Sequence, residues 1–364
     1  MNNKKILFVL PRMGGGGAER VVSLIANSLS KNNSIHIFTL VGGESFYQLN
    51  EEVIYDSVNI TVNRKNKLTT LWSEATSLYK SFVQIRNYIK KEKFDIVISF
   101  LVETDILVGL CKLFGLKFKH VCSERNDPTK RSGLQLKIIT AIYKRATLFV
   151  CQSKMVASFY KEVPTEIKRV ISNPVQPENL PQRNVVNPNR IVAVGRLSTQ
   201  KNFRMLINSF SNTANEFSEA TLDIYGEGPQ RETLQAQIDL LNLTGRITLC
   251  GARKDLQQCI ADAQLFVMSS DYEGFPNALL EAIAIGIPVI STDFPTGIAK
   301  ELIGKENGLV VPVDDEKSMT DGIRYMLSHK ELLSDMGNAN YQMAKRFYTE
   351  NIIKMWEEEL TSIL

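Results

Sequence analysis

The sequence predicts an α/β protein of two doubly wound domains. Three observations carry this: strand-length apolar runs alternate with helical patterns, the alternation restarts after a proline-rich segment, and 364 residues are enough for two cores. In the first half KKILFVLP leads into a glycine loop and then Ala18–Ser30, where Ala18, Val21, Val22, Ile25 and Leu29 recur at helical spacing. SIHIFTL, FDIVISF, FKHVCSE and TLFVCQS follow, separated by polar or amphipathic segments, which predicts a parallel sheet covered by helices.

Residues 171–190 carry four prolines and no periodicity, so they read as a linker, with the domain division placed at 180. Beyond it RIVAVGRL, TLDIYGE, ITLCG, LFVMSS, PVISTD and GLVVP repeat the same alternation. From about Asp315 the pattern is helical, and the last helix, with Trp356 on a polar background, is expected to return to the first domain.

Composition excludes several classes. Hydrophobic residues make up 44% and charged residues 23%, and no run of about 18 apolar residues could span a bilayer. The apolar start lacks a signal-peptide cleavage site and flows into the glycine loop, so a first buried strand explains it better. Five cysteines without paired close spacing read as reduced core thiols, and the three histidines, His36, His120 and His329, have no neighbour at metal-ligand spacing. Charge is uneven: residues 1–180 hold 26 Lys and Arg against 15 Asp and Glu, and the remainder 17 against 24. A basic half suits nucleic acid, an anionic membrane or a phosphorylated substrate, and charge does not choose among them.

Five short segments carry candidate chemistry. Gly14–Gly17 opens a helix where backbone N–H groups and the helix dipole favour an anion, though a tight turn explains the glycines equally. It is not a dinucleotide fingerprint, because Glu19 stands where the third glycine would be. Arg196 and Lys201, in GRLSTQKNF, sit after the first strand of the second half, placed either for a diphosphate or as solvated loop cations. Glu273 and Glu281 lie at opposite ends of a loop and first helical turn; Glu281 stands among apolar residues and needs partners, which ribose hydroxyls or a structural cap would supply. Thr296 and Gly297 end a strand-to-helix turn with backbone donors. Glu103 and Asp105 resemble a D-x-D metal pair but fit the acidic start of a helix better.

The stretch 64–93 mixes Arg64, Lys65, Lys67, Lys80, Arg86, Lys90, Lys91 and Lys93 with Leu71, Trp72, Leu78, Tyr79 and Phe82. It reads either as a basic amphipathic helix on an anionic membrane or as a sheet-covering helix with a solvated face.

Taken together, GRLSTQKN, YGEGPQRETL, the Glu273-to-Glu281 element, GIPVISTDFPTG and GGGGAERVVSLIANSL resemble family-4 retaining glycosyltransferases of the GT-B architecture, along nearly the whole chain. The resemblance implies two Rossmann-like domains facing a central cleft. It implies that Arg196 and Lys201 hold the donor diphosphate, that Glu281 holds the ribose and Glu273 the transferred sugar, and that Phe275, Pro276 and Asn277 line the pocket. It gives Gly16 and Gly17 to the donor from the opposite domain. It implies no metal and no other cofactor. Where many members carry a histidine after the strand FKHVCSE, SERND places Arg125, which cannot act as a base at neutral pH and is expected to bind an acceptor phosphate or the donor.

The function so implied is transfer of a hexose or N-acetylhexosamine from a UDP-sugar to a lipid-linked or surface glycan, with SERND and STDFPTG resembling bacterial transferases of N-acetylgalactosamine type. Expected partners are the nucleotide sugar, a polyprenyl-diphosphate-linked or other anionic glycan acceptor and the inner face of the cell membrane from the cytoplasm, with no nucleic acid. A nucleotide-sugar epimerase and a non-catalytic nucleotide-sugar-binding protein are the alternatives.

Overall fold

The computed structural model describes residues 1–58, 67–131, 133–183 and 185–364, the side chains of 67–75 excepted. Arg64 and Lys65 of the expected basic stretch lie outside the described residues, as do the side chains of Lys67, Leu71 and Trp72.

The first half builds β1 (Lys5–Leu10), α1 (Gly17–Leu29), β2 (Ser34–Thr39), β3 (Ile54–Ser57), α2 (Lys67–Glu92), β4 (Ile96–Phe100), α3 (Val102–Leu113), β5 (Lys119–Ser123), α4 (Gly133–Tyr143), β6 (Leu148–Cys151), α5 (Lys154–Phe159) and β7 (Lys168–Val170). The second builds β8 (Asn187–Val194), α6 (Phe203–Ala214), β9 (Thr221–Tyr225), α7 (Arg231–Leu240), β10 (Ile247–Gly251), α8 (Leu256–Ile260), β11 (Ala263–Met268), α9 (Asn277–Ile285), β12 (Val289–Thr292), α10 (Ile298–Leu302), β13 (Gly308–Val311), α11 (Glu316–Ser328) and α12 (Lys330–Ala344), and α13 (Thr349–Ser362) ends the chain.

Each half holds one parallel sheet, ordered β3-β2-β1-β4-β5-β6-β7 and β10-β9-β8-β11-β12-β13. In both, the first strand pairs on one side with the second and on the other with the fourth, so the direction of winding reverses there. Such a reversal opens a crevice beyond the strands' carboxyl ends, where doubly wound sheets take ligands. The apolar runs become strands because helices cover both faces: Ile6 to Leu10 are fully buried, as are Ile191 to Ala193 and Leu265 to Val267.

The chain divides into two compact units, residues 1–173 with Glu350–Leu364, and Pro174–Thr349. The division falls a few residues ahead of 180, for a local reason. Ile171 still donates its N–H to Cys151 of the first sheet and Asn173 accepts from Arg125, whereas Val175 already pairs with Tyr348. The last helix belongs mainly to the first unit: Ile352, Ile353, Trp356 and Leu360 form its buried stripe, and Arg169 binds Glu359 at 2.6 Å.

All five cysteines are free, with Cys111, Cys122 and Cys151 buried. Among the described residues no helix is long and apolar enough to cross a membrane.

Candidate active site

In the second unit the winding reverses between β8 and β11, and two loops leave the carboxyl ends of these strands. The first, Gly195–Asn202, carries Arg196 and Lys201; the second, Ser269–Pro276, carries Glu273. Backbone and side-chain bonds stitch them together: Asp271 N–H donates to Gln200 O at 2.9 Å, Ser269 Oγ to Lys201 O at 2.8 Å, and Gln200 Nε2 to Tyr272 O at 2.8 Å. Asn202 sits in the left-handed region at φ +46°, which asparagine tolerates, and caps α6 by accepting from Met205 N–H.

This stitching brings Lys201 Nζ within 2.5 Å of Glu273 Oε1, with the two side chains only 16% and 8% exposed. Ser270 Oγ donates to the same carboxylate oxygen at 2.6 Å, and Thr296 Oγ1 donates to the Glu273 carbonyl at 3.0 Å. Thr296 therefore acts on the loop that presents Glu273 through its hydroxyl. Gly297 takes a left-handed turn at φ +67° before α10, a helix of a single turn.

Lys201 lies flat over the end of β8. A Cβ at Gly195 would stand 2.8 Å from Lys201 Cε, so glycine is what admits the lysine there. The next loop clasps the first from outside: Leu197 N–H donates to Glu227 O at 2.9 Å and Gln230 N–H to Leu197 O at 3.0 Å. Gly226, at φ +145°, passes so close that any Cβ would collide with the Gly195 carbonyl. Arg196 is exposed, and its guanidinium holds no ion pair among the described residues. One cation is thus fixed and paired while the other is presented to solvent.

Glu281 stands on α9, which starts at Asn277 after the buried Phe275 and Pro276. Its carboxylate is buried, and Gln257 Nε2 of α8 donates to Oε2 at 3.0 Å, so a protein amide supplies part of the partnering expected from a ribose.

In the first unit Gly16 is the residue preceding α1 and Gly17 its first residue. The Glu19 carboxylate folds back into the space a Cβ on Gly16 would fill, and burial raises its pKa against the pull of its own backbone N–H and of Arg12. The positive end of this helix is already faced by a carboxylate, so the glycine loop is not simply an open anion site.

Arg125 is 5% exposed. Its Nε donates to Ser123 Oγ at 2.7 Å, Nη1 to Asn173 Oδ1 at 2.8 Å, and the guanidinium lies 5.1 Å from the Phe100 ring and 5.7 Å from that of Trp356. Burial pulls its pKa down, and Nη2 has no hydrogen-bond partner.

Beside Arg125 lies a buried network absent from the sequence expectations. Glu124, fully buried, is bracketed by Arg131 and accepts from Tyr143 at 3.1 Å and Tyr160 at 2.7 Å. Tyr143 Oη also lies 3.0 Å from Asp105 Oδ2, Ser99 Oγ donates to Asp105 at 2.5 Å, and His120 Nε2 lies 2.9 Å from Ser99 Oγ. Burial pushes Asp105 well above the ordinary carboxylate range and His120 down to about 3. Asp105 is thus a network member, while Glu103 beside it is exposed at the helix start. The ligand atoms of Asp105, His120 and Cys122 fall within 4.8 Å of one another, a grouping that spacing along the sequence does not reveal. Cys122 Sγ is 3.4 Å and 3.8 Å from the two His120 nitrogens, off the lone-pair axis of either, and Ser99 and Tyr143 satisfy Asp105, so the arrangement is that of a hydrogen-bond network.

Two doubly wound parallel sheets, the second with a loop-built site where its winding reverses, match the GT-B fold, and comparison with known proteins agrees. Residues 176–343 match the model described as Glycosyl transferases group 1, and residues 15–179 that of Glycosyltransferase Family 4. The chain is 28% identical, over 97% of each chain, to a Campylobacter jejuni alpha-1,4-N-acetyl-D-galactosaminyltransferase named for GalNAc-alpha-(1->4)-GalNAc-alpha-(1->3)-diNAcBac-PP-undecaprenol. It is 26% identical to the amylovoran biosynthesis glycosyltransferase AmsD of Erwinia amylovora, over 98% of this chain and 99% of that one. Its fold matches Anabaena HepE, solved in complex with UDP, with a TM-score of 0.80 and 18% identity, covering 98% of this chain and all of the other. The chain belongs to the family-4 glycosyltransferases of GT-B architecture, and it is a glycosyltransferase.

Proposed function

We propose that this enzyme is a retaining transferase that moves a hexose or N-acetylhexosamine from a UDP-sugar to a lipid-linked or surface glycan at the cytoplasmic face of the membrane. The observation that carries this reading is the Lys201–Glu273 pair beyond the carboxyl ends of β8 and β11, with the exposed Arg196 on the same loop. UDP in HepE supports the nucleotide, and the undecaprenyl-diphosphate glycan in the name of the Campylobacter relative supports the acceptor.

In this reading Lys201 and Arg196 neutralise the diphosphate as it departs, the main electrostatic task when a phosphate is the leaving group. Glu273 orients the sugar hydroxyls, Glu281 the ribose, and the backbone at Phe275, Pro276, Asn277, Thr296 and Gly297 lines the sugar and phosphates. Gly16 and Gly17 contribute donor contacts, and Arg125 is assigned a phosphate of the acceptor or donor, which its burial admits only once the residues around it shift. The bond from the anomeric carbon to the diphosphate oxygen breaks. The bond to the acceptor oxygen forms on the same face, and the acceptor proton passes to the departing phosphate, leaving UDP. No metal is invoked, because the two cations offset the charge.

The test is transfer from a panel of tritiated UDP-sugars to a polyprenyl-diphosphate glycan, with the product's anomeric configuration read by NMR. An α-linked product from an α-linked donor is expected. An inverted product, or a new sugar nucleotide released without acceptor, overturns the reading.

A further inference from the structure

The first unit carries a feature that sugar transfer does not use. Between α3 and α4 lies a cavity of about 590 Å³, within the usual size of small-molecule pockets. Gly109, Leu113, Ile138, Ala141 and Ile142 make its apolar wall. Glycine at 109 lets the helices meet at its base, where a Cβ would stand 2.8 Å from Ile142 Cδ1.

Apolar side chains project into solvent around it. Leu113 is 66% exposed, Phe114 61%, Leu134 72% and Ile138 43%. Leu134 lies one helical turn before Ile138, and Phe114 meets Phe82 of α2 at 5.7 Å, so the surface continues onto the helix whose basic amphipathic character stands out in the sequence. Exposed apolar groups in such density mark an interaction surface.

Charge selects the occupant. Residues 109–120 and 133–145 contain Lys112, Lys117, Lys119, Lys137, Lys144 and Arg145 and not one Asp or Glu. Apart from a 3.3 Å contact of Lys144 with Glu162, no acid pairs with these cations among the described residues. Protruding apolar groups ringed by one sign of charge complement an anionic bilayer, whose acyl region takes the former and whose headgroups take the latter.

We infer that the α3–α4 face docks on an anionic phospholipid bilayer, with Leu113, Phe114, Leu134 and Ile138 entering the headgroup boundary and the cavity receiving an acyl chain. The inference deepens the proposed use of a lipid-linked acceptor and rests on that reading only in expecting a membrane at all.

The test is co-sedimentation of the full chain with phosphatidylcholine vesicles, with and without phosphatidylglycerol. The wild type is expected to sediment with the anionic vesicles only, less so as salt rises. Leu113→Asn/Phe114→Ser and, separately, Lys117→Gln/Lys119→Gln are each expected to lower the partition coefficient roughly ten-fold or more. All four positions are exposed, and unchanged melting temperatures confirm folding. Binding of both variants at wild-type strength, equal binding to neutral vesicles, or a wild-type dimer that the apolar variant dissociates without any vesicle binding overturns the inference. Transfer to a short-chain, water-soluble acceptor is expected to stay at the wild-type level in both variants. A wild type that binds vesicles yet transfers no sugar defeats the proposed function and leaves the docking face standing.

Discussion

Lys201 Nζ and Glu273 Oε1 lie 2.5 Å apart, joined across two loops that leave different strands of one sheet. The pair is largely buried, so each charge depends on the other and on Ser270. The nearby Arg196 has no such partner among the described residues, so the loop carries one buried, paired cation and one exposed cation.

Lys201→Ala is expected to reduce kcat by about 10²-fold or more, since charge stabilisation at the leaving group is lost. Glu273→Ala strands a mostly buried ammonium and is expected to destabilise the second unit by about 3 kcal/mol, whereas Glu273→Gln keeps an acceptor for Ser270 and lowers activity with a smaller loss of stability. Steady-state rates and urea titrations of the three variants separate the effects.

Gly226→Ala places a Cβ against the Gly195 carbonyl at φ +145°. The expected outcome is a loss of about 2–4 kcal/mol with a loop pushed away from Lys201, read as earlier melting together with a raised donor KM.

His120 yields a pH dependence of defined sign. Burial lowers its folded pKa to about 3, below the unfolded 6.5, so the unfolded chain binds the extra proton. Its contribution is present above pH 6.5 and is lost as pH falls towards 3. Between pH 7.5 and 5.5 the wild type is expected to lose about 1.4 kcal/mol more than His120→Asn in urea titrations, the variant cancelling the opposing trend from Asp105.

Chelation tests the metal-free reading. With EDTA in place of added Mg²⁺ the transfer rate is expected to hold, because Arg196 and Lys201 supply the countercharge; a rate restored only by a divalent cation contradicts it.

The strands that carry the site were legible because burial on both faces makes them continuous apolar runs, and Arg196, Lys201 and Glu273 follow such runs directly. β3 was not, since IYDS is a half-exposed edge with no apolar run, and β7 is only Lys168–Val170. β8 begins inside the expected linker because its first residues, from Asn187, are exposed and polar. Ser99, Asp105, His120, Glu124 and Tyr143 meet from separate elements, and spacing does not register such convergence. One signal was available: His120 and Cys122, two apart on a strand, share a face. SERND drew attention to Arg125, while the fully buried acid was the adjacent Glu124.

The most direct measurement is thermal stabilisation of the wild type and of Lys201→Ala by a panel of sugar nucleotides. A donor at 100 times its Kd adds about 2.7 kcal/mol, so the wild type is expected to melt several degrees higher with a UDP-sugar while the variant shows little shift. No stabilisation of the wild type by any sugar nucleotide, or an equal shift in the variant, would contradict the assignment of the Lys201–Glu273 loops to the donor.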